Sequence, residues 1–216
     1  MIKEFKASFV SDVLMDFDIQ EVSLWLNGQQ KQTISNLLWS DKGYFPEVSF
    51  SMAYTQSHIL LKYFVQEQYT RAFYKNINDP VYNDSCVEFF IAMAGDKNYY
   101  NLEFNSLGTA LVGYGSGKHD RVDVPDDAIK KIKSYSTMQL PTTDAGSFAT
   151  WELTLKIPFE VFIHHPISSL KDEQCWVNFY KCGDELPEPH FLSWNNIVNH
   201  EPNFHLPEFF GKVSFV

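Results

Sequence analysis

The residues best placed for chemistry are Glu88 and Glu103, fifteen positions from one another in a segment that reads as a β-hairpin. Val87, Phe89 and Ile91 share one face of its first strand, and Tyr100, Leu102 and Phe104 share one face of its second. Centring the turn on Gly95-Asp96 pairs Val87 with Phe104, Phe89 with Leu102 and Ile91 with Tyr100, so that apolar meets apolar at every step. That register sets Glu88 opposite Glu103 and Cys86 opposite Asn105 on the other face, with Asn101 and Phe90 beside them. Carboxylates directly across a ladder repel unless a ligand, a cation or a proton relieves them. A face carrying two Glu and two Asn suits a recognition surface; the plain alternative is a solvated polar face. The same pair could also serve a glycoside hydrolase, whose retaining form needs carboxyls about 5–5.5 Å apart. Neighbouring acids on one sheet approach a substrate from the same side, however, whereas that reaction needs them flanking the scissile bond.

Aromatic residues supply further candidates. Trp194 falls in a polar stretch with no periodic reason to be there, and Tyr82 sits in a turn between Pro80-Val81 and Asn83-Asp84. Both are expected to contact ligand. Trp25, Trp39, Trp151 and Trp176 are flanked by apolar or alternating residues and are expected in the core or at its edges. Cys86, Cys175 and Cys182 form no CxxC pair, which points to ordinary buried thiols and rules out a four-cysteine zinc site. His164, His165, His190, His200 and His205 match no standard zinc spacing. Asp79, Asp84, Asp120 and Asp123 lie in oxygen-rich loops of the kind that suit calcium.

The elements that must position these groups are mostly strands. Val48, Phe50, Met52 and Tyr54 alternate with small residues; His58–Gln66 is apolar on both parities in places, as a doubly buried strand would be. Trp151, Leu153, Leu155 and Ile157 alternate until Pro158, and 176–181 and 212–216 read as further strands. Helix is expected only at Pro125–Lys133, with acids first and lysines last, and as one turn at Phe159–Ile163. Leu107–Lys118, with four glycines, and Cys182–Asn203 read as ordered loops. The expected fold is therefore all-β: an antiparallel β-sandwich of jelly-roll or immunoglobulin-like type with one or two short helices. It forms a single domain over 1–216, residues 1–38 adding N-terminal strands to the same sandwich.

Composition sets the outer limits. A net charge of −10 with only two arginines, Arg71 and Arg121, argues against a nucleic-acid partner. No run approaches the roughly 18 apolar residues of a membrane span. The segment Met1–Lys6 lacks the charged-then-apolar pattern of a secretory signal. The compartment is thus left open, extracellular or periplasmic if the chain is cut from a longer one.

Five blocks then carry a resemblance: Asp79–Ile91, Tyr99–Thr109, Asn178–Gly183, His190–Trp194 and Pro207–Gly211. In this order they resemble the carbohydrate-binding module family 9-like proteins, a branch of the DOMON-like sandwiches, from about Trp39 to the C-terminus. The resemblance implies a sandwich that clamps a sugar unit at a chain end between two aromatic rings. Tyr82 stands where the family has a Trp, and Ser193-Trp194 matches the second ring. Glu88 would bind sugar hydroxyls, with Asn105 as a further polar contact and Lys181 or Arg71 as the basic one; Glu103 joins the expected site as Glu88's partner across the hairpin. It also implies a non-catalytic role in carbohydrate catabolism, a structural calcium ion and association with hydrolases. The wider superfamily adds haem binding as an alternative, for which Met52, Met93 and Met138 offer no well-placed Met/His pair.

Overall fold

A computed structural model describes residues 2–11, 17–40, 43–140 and 148–216. Its strands are β1 (Glu4–Phe9), β2 (Gln32–Thr33), β3 (Asn36–Leu38), β4 (Glu47–Tyr54), β5 (His58–Glu67), β6 (Cys86–Ala92) and β7 (Tyr99–Asn105). They continue with β8 (Ala110–Gly115), β9 (Arg121–Asp123), β10 (Lys133–Gln139), β11 (Ala149–Pro158), β12 (Gln174–Cys182), β13 (Phe191–Ser193) and β14 (Gly211–Phe215). The helices are α1 (Ile19–Asn27) and α2 (Asp126–Ile129).

These strands make a curled all-β fold of two layers. One layer runs β10-β11-β5-β4, the other β14-β12-β6-β7-β8-β9. β1 joins them, pairing with β14 through Glu4–Ala7 and with β4 through Ser8-Phe9, parallel in both cases. That is the one departure from the antiparallel expectation among the pairings described. The core lies between the layers. Phe50 of β4 stacks on Phe179 of β12 with ring centroids 3.7 Å apart, and Phe179 stacks in turn on Phe89 of β6. Val87, Phe89, Ile91, Tyr100, Leu102 and Phe104 all face this core, so the hairpin register inferred from apolar pairing is the register found.

Three local expectations are corrected. Residues 1–38 hold strands, but also α1, whose Asp18 and Glu21 form a reciprocal capping box. Its Val22 and Leu26 pack on Ala53 and Leu60, covering the outer face of the first layer. Leu107–Lys118 is not wholly a loop: β8 occupies half of it and pairs with β7, its Gly113 leaving room for the Asn101 side chain, whose Oδ1 would lie 2.8 Å from an added Cβ. Within Cys182–Asn203, the short β13 pairs with β12 and β3.

Candidate functional site

The hairpin face opposite the core is not a solvated polar surface. Every residue of β6 and β7 is buried. Cys86, Phe90, Tyr99, Tyr180 and Cys182 there join Phe204 and Phe210 in a second apolar cluster. The segment from Trp194 to Phe210 lies over this face, its Ile197, Phe204 and Phe210 packing into the cluster. The part it leaves open is a pocket of about 340 Å3.

Glu88, Glu103 and Cys182 line its inner end; Tyr82, Trp39, Phe191 and Phe204 give aromatic walls; Arg121, Lys118, His119, Asp184 and His205 complete the lining. Tyr82 lies on a single 3-10 turn, Val81–Asn83, and is 40% exposed. That turn is held by Asp84, whose buried carboxylate accepts from the Phe73 and Tyr74 amides and from Asn105. Trp39, immediately after β3, has a φ of 47°, a left-handed conformation that costs a bulky side chain energy. Its indole N–H donates to Asn199 O at 2.8 Å, and its ring lies 5.8 Å from that of Phe204.

The acids are desolvated. Burial, together with the charge of Glu103, pushes the Glu88 carboxyl well above the usual range. Burial raises Glu103 to about 7, Arg121 and an Asn101 hydrogen bond opposing it. Burial likewise lifts Asp184 to about 6. Glu88 Oε1 accepts from the Cys182 thiol at 3.1 Å, and Glu103 Oε1 from Asn101 at 3.0 Å. The other Glu103 oxygen is buried with no hydrogen-bond partner. Arg121 sits 3.9 Å from Glu103 and 3.0 Å from His205 Nδ1. Burial first and Arg121 second hold His205 neutral, down to about 2. Such a surface offers acceptors, protonated carboxyls that also donate, and a fixed cation, beside aromatic faces. A wider trough of about 900 Å3 crosses β4, β5, β10 and β11, but no buried acid lines it.

Of the residues singled out in the sequence, Tyr82, Glu88 and Glu103 meet at this pocket. Trp194 and Asn105 do not. Trp194 is 1% exposed and faces the core, edge-on to Phe5 and Phe179; Gly211 lacks a side chain where a Cβ would lie 2.4 Å from the indole. Asn105 is buried, donating to Tyr74 O and Asp84 and accepting from the Leu107 and Thr109 amides. All its capacity goes to the turn it holds. Lys181 faces the core, 2.8 Å from Glu67, and Arg71 pairs with Asp84 and Glu185 outside the pocket. Asp79 and Asp84 each cap local backbone amides, and Asp120 accepts from Ser116. The sequence reading missed Trp39 and Arg121. The apolar pair Leu37-Leu38 made Trp39 look like core, and its place at the end of that run, before Ser40, was the available sign.

Comparison with known proteins bears on this geometry. Residues 18–215 match carbohydrate-binding family 9. A solved protein from Bacteroides uniformis ATCC 8492, described as a candidate carbohydrate-binding protein, is 36% identical over 100% of both chains, with a TM-score of 0.89. A family 9 module from Caldicellulosiruptor kristjanssonii in complex with glucose is 11% identical, covering 99% of this chain and 96% of that one, with a TM-score of 0.60. The same organism's module with cellotriose gives 11% identity, 99% and 93% coverage and a TM-score of 0.56. At that identity the last two speak for the fold alone. No curated protein matches the chain.

Proposed function

This chain belongs to carbohydrate-binding family 9, and from that premise we propose that it binds a short saccharide, without cleaving it, in the pocket between Tyr82 and Trp39. The observation that carries the reading is the pocket itself: aromatic rings beside a buried, partly protonated carboxyl pair. A pyranose has C–H-rich faces that pack on rings, and a hydroxyl edge that needs both donors and acceptors. Glu88 and Glu103 supply both, and Arg121 supplies a charged donor. At about 340 Å3 the pocket is near the small end of the usual ligand-site range of about 300–1,000 Å3, which suits one or two sugar units. Glucose and cellotriose, the ligands of the Caldicellulosiruptor kristjanssonii modules, are the natural first probes.

In this reading Tyr82, Glu88 and Glu103 touch sugar, while Asn105 and Trp194 hold the elements that present them. The whole of 1–216 acts as one binding domain serving carbohydrate catabolism. Nothing favours hydrolysis: the two Glu are direct cross-strand partners and present one wall rather than two.

The test is calorimetric titration with glucose and cellotriose, with reducing-sugar release assayed in parallel. Saturable binding, lost in Tyr82→Ala, with no release, supports the reading. Release of reducing ends that Glu103→Gln abolishes would replace it with the hydrolase, and absence of binding to any of a panel of mono- and oligosaccharides would end it.

A further inference from the structure

The inner end of the pocket holds two thiols that sugar binding does not use, beside Glu88, which it does. Cys86 and Cys182 are directly opposed on β6 and β12, and Glu88 lies two residues along β6, on the same face. One donor atom from each, Sγ, Sγ and a carboxylate oxygen, lie within 4.8 Å of one another. All three residues are buried. Cys182 and Glu88 also line the pocket, so an ion has a route in and the trio has an open side.

We propose that Cys86, Cys182 and Glu88 form a three-ligand site for a thiophilic divalent ion of the zinc class, its fourth position open to the pocket. Geometry permits it. Zinc–sulfur and zinc–oxygen bonds of about 2.3 and 2.0–2.2 Å give tetrahedral edges of roughly 3.5–3.8 Å. The Cys182 Sγ to Glu88 Oε1 distance is 3.1 Å, and no separation exceeds 4.8 Å, so the widest needs to close by about an ångström at most. The donor set is selective, since two thiolates with one carboxylate favour zinc or cadmium over calcium or magnesium. Glu88 also faces Glu103 across the ladder, and one Glu103 oxygen is buried without a hydrogen-bond partner. A cation on Glu88 offsets the cost of holding charge on both carboxylates there. Both thiols are buried, and an entering ion displaces their protons to solvent as it binds. Cys175 is a built-in control: it lies on the core side, its Sγ 3.9 Å from Met93 Sδ.

The test is titration of the reduced full chain with Cd2+ alone, read by the ultraviolet thiolate-to-cadmium charge-transfer band. One equivalent is expected to saturate the band in the wild type and in Cys175→Ser, and to raise the melting temperature of both. Cys182→Ser and Cys86→Ser are each expected to lose half the band or more. Glu88→Gln, which leaves both thiols in place, should keep the band but bind at least tenfold more weakly, and so guards against a cysteine variant that fails to fold. No band in folded wild type after several equivalents would overturn the proposal. So would a band that survives in Cys86→Ser and Cys182→Ser but disappears in Cys175→Ser. Glucose titration without metal is a separate measurement, so either claim can fail while the other stands.

Discussion

A glutamate side chain on an open strand ionises near 4.5, whereas Glu103, taken out of water, does so only at about 7. Between those values the folded chain holds more protons than the unfolded one. Stability contributed by neutral Glu103 is therefore complete below about 4.5 and falls away as pH rises through about 7. Glu103→Gln removes that dependence while keeping a polar side chain of the same size. Urea midpoints at pH 5 and pH 8 should show the variant gaining on wild type at the higher pH, by about 3 kcal/mol at most; an equal offset at both would mean Glu103 is charged throughout. The two tryptophans separate by the same kind of reasoning. Trp194 is core, and Trp194→Ala is expected to cost about 3–5 kcal/mol of stability. Trp39 is a pocket wall: Trp39→Ala should weaken glucose binding about tenfold or more while shifting the urea midpoint far less.

At the scale of elements, the site depends on how the turn carrying Tyr82 is fastened. That turn has no regular structure beyond three residues. Asp84 and Asn105 pin it to the hairpin instead, Asn105 closing the 105–109 bend through its carbonyl and reaching Asp84 and Tyr74 through its amide. Asn105→Ala leaves these buried partners short of hydrogen bonds and is expected to cost about 2–3 kcal/mol. Affinity for sugar should fall with it, because Tyr82 loses its fixed position. Chemical denaturation together with titration checks both; a stable variant with lost binding would instead make Asn105 a direct ligand contact. The covering segment 194–210 is fastened in a similar way. Asn178 of β12 bonds both the amide and the carbonyl of Asn195, and Asn195 donates to Phe209 O.

Over the whole molecule the layers are joined by more than apolar packing. Glu67 at the end of β5 accepts from the Trp151 indole and pairs with Lys181 of β12, which also meets His190, all of them buried. This links the layer that carries α1 to the strand whose next residue, Cys182, lines the pocket. Lys181→Met strands the Glu67 charge and is expected to destabilise by about 3–5 kcal/mol; adding Glu67→Gln should restore much of that, since a neutral pair needs no compensation. Double-mutant unfolding curves check it, and simple additivity would mean the pair does not act as a unit. Among the described residues no helix is long and apolar enough to cross a membrane.

Period-two alternation determined the strands and, in the hairpin, the register itself. Only one alignment buries Val87, Phe89 and Ile91 against Phe104, Leu102 and Tyr100, so Glu88 and Glu103 had to face each other. The helix α1 was equally available in the Asp18–Glu21 capping box, but was masked by the expectation of strands. What lies over the second face was not local information. The covering segment is up to about a hundred residues away in sequence from the strands it meets, and its aromatic residues have no periodicity to report which way they turn. Only the tertiary structure could send Trp194 inward, against Gly211 and Phe179, and bring Trp39 and Arg121 to the pocket. It also turned a polar face into a buried one, and burial is what gives Glu88 and Glu103 their protons.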